Sequence, residues 1–95
     1  MINHLVFFKL KNPHHGLEET IIALKSLKSE IKEIKEFKIG KNISDEDATY
    51  DIALYSTFET VKDLLLYRNH PKHQFFVKNY ANIFCEHAKI VDFES

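Results

Sequence analysis

Cysteine is almost missing from this chain. Cys85 is the only one, so no disulfide can close within it, and a reducing, cytoplasmic compartment is the expectation. It lies in the apolar run IFCEH, where a small buried side chain is a better reading than a reactive thiol. Glycine and proline number two each, and no internal repeat, linker or low-complexity stretch interrupts the chain. No apolar run reaches the ~18 residues that a membrane-spanning helix requires. Met1 is followed at once by alternating, strand-like residues instead of a basic segment and a long apolar core, which argues against a signal peptide. Neither charge sign dominates: the net charge is −1, so nothing suggests the basic surface that nucleic acid needs.

What is present is apolar and aromatic. Of 95 residues, 44% are hydrophobic, with eight Phe and four Tyr, which implies a folded globule spanning residues 1–95 as one domain. In a domain of this size the core is thin unless a partner adds to it.

INHLVFFKL, residues 2–10, reads as a strand and stops at the loop KNPHHG. Ile2, His4, Val6, Phe8 and Leu10 share one face; Asn3, Leu5, Phe7 and Lys9 share the other, and both faces are substantially apolar. From Leu17 to about Ile31 the spacing turns helical, with Leu17, Ile21, Leu24, Leu27, Lys28 and Ile31 on one stripe. Glu18 and Glu19 fall in the first turn, where the helix dipole favours negative charge. Residues 34–43 alternate again, with Phe37, Ile39 and Ile43 together and Gly40 marking a bulge or bend. SDEDA is a polar turn, and 49–58 is a third strand, apolar on both faces. A short helix from Glu59 to about Arg68 follows, with Val61, Leu64, Leu65 and Leu66 among its apolar positions.

Pro71 disfavours helical geometry at His70 but suits a first helical position, so the second helix breaks at His70-Pro71 and resumes to about Phe84. HAKIVDFE, residues 87–94, is the last strand. The order β-α-β-β-α-β is the ferredoxin-like α+β arrangement, a four-stranded antiparallel sheet with helices on one face. A soluble monomer rarely exposes a large apolar patch, so two-faced strands predict a homodimer with its sheets back to back.

The segment YRNHPKHQFF carries the candidate chemistry. His70 at the helix start is a cap for a free backbone N–H or a solvated ring. His73 shares a stripe with Val77, Tyr80 and Phe84 at helical spacing, beside Phe76, and that stripe faces the sheet. In the first helical turn, and buried, its ring is expected to be neutral and able to accept a proton, as a general base must. A histidine hydrogen-bonded in the core for structural reasons fits the same position. His4 lies on one face of the first strand among Val6 and Phe8, and Tyr67 ends the helix before the break. A phenol beside an imidazole offers a hydrogen bond to a developing oxyanion, while Phe8, Phe76 and Phe84 suit the walls of an apolar pocket. Tyr67 as plain core packing is the alternative. His70 and His73 do not occupy the i, i+4 face of zinc motifs, and no Cys or carboxylate completes a set, so no metal site is expected.

INHLVFFKLK, YDIALYSTFET, LLLYRNHPKHQFF and KIVDFE together resemble the stress-responsive A/B barrel family, known as Dabb, over nearly the whole chain. Tyr-x-x-His-Pro-x-His is the most specific element, with the terminal Val-Asp-Phe in support. The resemblance implies a ferredoxin-like domain forming a dimeric α+β barrel, sheets inside and helices outside. It also implies scattered functions: members without established activity, stress-induced plant proteins that assemble into rings, and cofactor-free polyketide cyclases. In the cyclases a histidine matching His73 is the general base, a tyrosine matching Tyr67 binds or polarises the substrate, and a histidine matching His4 lines the pocket. This chain departs from them on the third strand, where Ile52 and Leu54 face inward and no further histidine stands. Small cofactor-free monooxygenases, from a related superfamily of the same fold, are a poorer match, since tryptophan is absent.

Two readings follow. In one, each protomer holds a pocket lined by Phe8, His70, Phe76, Val77, Tyr80 and Phe84 that binds or acts on a hydrophobic carbonyl or aromatic metabolite, by cyclase- or lyase-type proton abstraction. His73 is then the base, Tyr67 the donor to the enolate-like oxygen and His4 an orienting group, with no cofactor. In the other, the protein is a non-catalytic, stress-related binding or structural protein in which the same residues make core hydrogen bonds. A His73 ring opening into a ligand-sized cavity favours the first; a ring sealed by Phe76 and Tyr80 favours the second.

Overall fold

Alternation places every even residue of INHLVFFKL inward. In the computed structural model, which describes residues 1–46 and 49–95, this segment is strand β1, Ile2–Leu10. Ile2, His4, Val6, Phe8 and Leu10 are all buried. Gly16 then turns the chain with φ 87, a left-handed conformation that favours glycine, into helix α1, Leu17–Glu30. Its apolar stripe buries Ile21, Leu24 and Leu27, and Ile31 just beyond it is fully enclosed. Lys28, on the same stripe by spacing, is exposed. Thr20 is also buried, its hydroxyl donating to the Gly16 carbonyl at 2.6 Å.

Strand β2 is Glu36–Lys41, shorter than the alternation over 34–43 suggested. Gly40 forms no bulge: it pairs in register with Ala53. Ile43 does not join Phe37 and Ile39 but lies beyond the strand, fully exposed. The SDEDA turn includes Asp47 and Ala48, which are outside the described residues. Strand β3 is Ile52–Phe58. Thr60 caps helix α2, Val61–Arg68, by accepting from the Asp63 N–H at 3.1 Å. Only Leu64 and Tyr67 of α2 are buried; Val61, Leu65 and Leu66 face outward, so the short helix touches the core along a narrow line.

The break falls at His70-Pro71. The uninterrupted helix expected beyond it is instead α3, Pro71–Phe76, a π-helical turn, Val77–Ala81, and α4, Asn82–Phe84. A π turn bonds i to i+5 and inserts an extra residue, so the projected His73-Val77-Tyr80-Phe84 stripe loses phase. All four residues are only partly buried, and Phe76 is the one that reaches the core. Strand β4, Cys85–Glu94, closes the chain.

The strand order is β2-β3-β1-β4, antiparallel throughout, which is the ferredoxin-like α+β fold. The core lies between the inner sheet face and the helices. On the outer face, cross-strand pairing aligns Leu5 with both Tyr55 and Val91, and Asn3 with Phe93. There Phe7 is 42% exposed, Val91 57% and Phe93 42%. Among the described residues no helix is long and apolar enough to cross a membrane.

Candidate functional site

The helix break creates the local chemistry. Pro71 has no N–H, and the Lys72 N–H is taken by Nδ1 of the capping His70 at 3.1 Å. In an unbroken helix that Lys72 N–H would have bonded the Arg68 carbonyl. The carbonyl is therefore left for side chains: it accepts from His73 Nδ1 at 3.1 Å and from Gln74 Nε2 at 2.7 Å. A carbonyl oxygen only accepts, so His73 carries its proton on Nδ1 and its lone pair on Nε2. Burial lowers the His73 pKa; the Arg68 carbonyl opposes that shift, and the charges of His4, Arg68 and His70 reinforce it.

Tyr67, the penultimate residue of α2, is 1% exposed and packs against His73 with ring centres 4.5 Å apart. Phe58 and Phe37 flank the same ring at 5.1 and 6.4 Å. Burial pushes the phenol pKa well above its ordinary value, so the hydroxyl stays protonated. His4, inward on β1, meets the edge of Tyr67 at 5.8 Å. It stands directly opposite Asp92 of β4, with Nδ1 bonded to Asp92 Oδ1 at 2.5 Å. The other carboxylate oxygen accepts from the Arg68 guanidinium at 2.8 Å.

Tyr67 and His73 form part of the wall of a cavity of about 510 Å³ between sheet and helices. Val6, Phe8, Leu24, Leu54, Phe76 and Val77 supply its apolar lining. His4 sits behind Tyr67 and does not itself line the cavity. Of the other residues expected there, His70 caps α3 instead. Tyr80 lines a separate cavity of about 470 Å³ between α1 and α3. Phe84 packs against Tyr80 and His15 and closes over Gly16. The π turn is the cause in the last two cases, since it rotates the residues after Val77 away from the line of His73.

The sequence matches the family model of the stress responsive A/B barrel domain over residues 2–95. The chain is a Dabb-family protein. It is 35% identical over 79 residues to the uncharacterized protein SCO4036 of Streptomyces coelicolor, across 78% of this chain and 80% of that one. A dimeric protein of unknown function and ferredoxin-like fold from Bacteroides fragilis superposes with a TM-score of 0.86 at 28% identity, over 99% of this chain and 95% of that one. The hydroxynitrile lyase of Passiflora edulis superposes with a TM-score of 0.81 at 23% identity, over 97% and 90% of the two chains, a likeness of fold.

Several further residues line the cavity of this Dabb chain. Val6 and Leu54 point inward by simple strand alternation, and Leu24 lies on the α1 stripe, so pattern alone was enough to place them beside the cavity. Lys11, Asn82, Glu86 and His87 gave no such signal, because their meeting depends on how β4 aligns with β1 after the register shift at Lys9/Leu10. His87 is further held by the Tyr50 hydroxyl, 3.0 Å from its Nε2. Among the described residues no three His, Cys, Asp or Glu side chains converge in a metal-binding arrangement.

Proposed function

We propose that the protein binds a small, largely apolar carbonyl or aromatic metabolite in the cavity beneath α3 and removes a proton from the carbon next to the carbonyl. The observation that carries this reading is the state of His73, whose lone pair is on Nε2 in a ring that forms part of the wall of a ligand-sized cavity. At about 510 Å³ the cavity falls within the range of small-molecule pockets, roughly 300–1,000 Å³.

The chemistry needs only side chains. Nε2 takes the α proton, the C–H electron pair becomes the new C=C bond, and the carbonyl π pair moves onto oxygen. The Tyr67 hydroxyl, kept protonated by burial, donates a hydrogen bond to that oxygen as its charge grows. Returning the proton from His73 to carbon or to a leaving group completes a cyclisation or a lyase reaction. His4 steadies Tyr67 from behind.

The same reading includes self-association through the outer sheet face. Leu5, Phe7, Tyr55, Val91 and Phe93 make a continuous apolar surface, and the relative from Bacteroides fragilis is dimeric.

The test is deuterium incorporation at the α carbon of aryl and alkyl ketones, phenylacetone among them, in D2O. Wild-type protein is expected to accelerate exchange, and His73→Ala is expected to bind the same ketones without accelerating it. A wild type that neither binds nor exchanges any ketone in the panel ends the proposal, as does an undiminished rate in His73→Ala.

A further inference from the structure

Arg68 contributes two groups to two different histidines. Its carbonyl, freed by the break at Pro71, holds His73. Its guanidinium reaches across to β4 and bonds Asp92 Oδ2 at 2.8 Å, while Asp92 Oδ1 bonds His4 Nδ1. We infer that Arg68 is a positioning residue for the candidate site: through Asp92 it holds the ring of His4, and His4 holds Tyr67. This inference rests on the proton-abstraction reading above for its kinetic consequence, though not for its geometry.

A carboxylate with a single partner can rotate and present either oxygen, or swing towards water. Here the two oxygens are divided between two partners, Oδ1 to His4 and Oδ2 to Arg68. Asp92 is about one-quarter exposed and Arg68 somewhat less than half, so water competes for both, and the guanidinium is what keeps Oδ1 turned towards the buried ring. With Nδ1 donating to Asp92, neutral His4 has its lone pair on Nε2, the same tautomer that the Arg68 carbonyl imposes on His73. Tyr67 lies between the two rings, 5.8 Å from one and 4.5 Å from the other. Arginine suits the task better than lysine because its planar fork fixes direction as well as charge. Its place in the last turn of α2 also favours a cation, by the helix dipole. The strand register supplies the rest, since His4 and Asp92 are cross-strand partners on one face.

Arg68→Met tests the inference, because it keeps the aliphatic stem at a half-exposed surface site and leaves the backbone carbonyl in place. The first measurement is the ring-nitrogen NMR spectrum of ligand-free protein labelled with 15N-histidine. Wild type is expected to show one tautomer at His4, protonated on Nδ1; Arg68→Met is expected to show His4 averaging between tautomers while His73 is unchanged. Arg68→Lys is expected to restore the His4 signals in part. The second measurement is α-proton exchange of phenylacetone, where kcat is expected to fall about ten-fold in Arg68→Met with KM nearly constant. Unchanged His4 nitrogens in Arg68→Met overturn the inference, whatever the rate does. If instead those nitrogens shift as expected but wild-type protein exchanges no ketone, the positioning stands and the proposed reaction is what fails.

Discussion

The rings of Tyr67 and His73 lie 4.5 Å apart, and burial keeps both of them neutral. It raises the phenol pKa and lowers that of the imidazole, because in each case the charged form is the one that loses solvation. A proton donor and a proton acceptor thus stand side by side without exchanging a proton. Acid–base chemistry on a bound carbonyl compound needs that arrangement.

The pH dependence follows from the lowered His73 pKa. Its ordinary value is 6.5, and the folded protein holds it below that. The exchange rate should rise with pH and reach its plateau already at neutrality, with a midpoint below 6.5. Stability carries the same sign. The unfolded chain binds this proton more readily than the folded one, so the contribution is complete above about 6.5 and is lost as pH falls through the folded value. Urea unfolding from pH 7.5 down to 5 should show a smaller acid loss for His73→Gln than for wild type. Equal losses would sink this account.

Tyr67→Phe separates the hydroxyl from the ring. The ring fills the space between His4, Phe58 and His73, and it stays. Exchange should drop by roughly 10²–10³, the cost of removing one donor from a developing oxyanion. Stability should move by less than about 1 kcal/mol. Tyr67→Ala, in contrast, opens a hole in the core and should cost about 3–5 kcal/mol. If both variants were equally unstable, the hydroxyl would have a structural role that this geometry does not give it.

Much of this was legible in the residues because it depends on period. Two-residue alternation in INHLVFFKL and the α1 stripe place the inner sheet face and its covering helix without knowledge of contacts. Pro71 marks the break, because a proline acts on its own neighbours. What escaped depends on distant alignment or on a change of helical pitch. Spacing of 3.6 residues per turn misplaces Tyr80 and Phe84, because the segment before Phe84 widens to a π turn. The bond from His4 to Asp92 requires the β1–β4 register, which joins opposite ends of the chain. Leu65 and Leu66 look like core by hydropathy and are exposed because α2 turns only Leu64 and Tyr67 inward.

Gly16 offers a test of the fold away from the site. Its φ is 87, and a Cβ built there would sit 2.3 Å from the Phe84 ring. Gly16→Ala therefore meets two penalties, about 1–2 kcal/mol for a left-handed conformation and roughly 1–3 kcal/mol for overpacking. A loss of about 2–5 kcal/mol in chemical denaturation is expected. Pairing it with Phe84→Leu should recover part of the steric share and none of the backbone share. A pair whose losses simply add would show that the contact with Phe84 does not matter.

The outer sheet face makes a separate prediction about assembly. Stable interfaces bury about 800 Å² per partner around an apolar centre, and a charge placed at that centre is desolvated without compensation. Val91 lies beside Leu5, in the strand that carries Phe93, on the face away from the helices. Val91→Lys should leave the folded protomer intact, because the residue is 57% exposed, while shifting a dimer to monomer in sedimentation at micromolar concentration. The cavity lies on the opposite face of the sheet, so the monomeric variant should still bind ketones. A wild type that sediments as a monomer throughout, or a Val91→Lys protein that stays dimeric, would mean the protomers meet elsewhere. The two exposed α2 leucines, Leu65 and Leu66, would then be the next surface to charge.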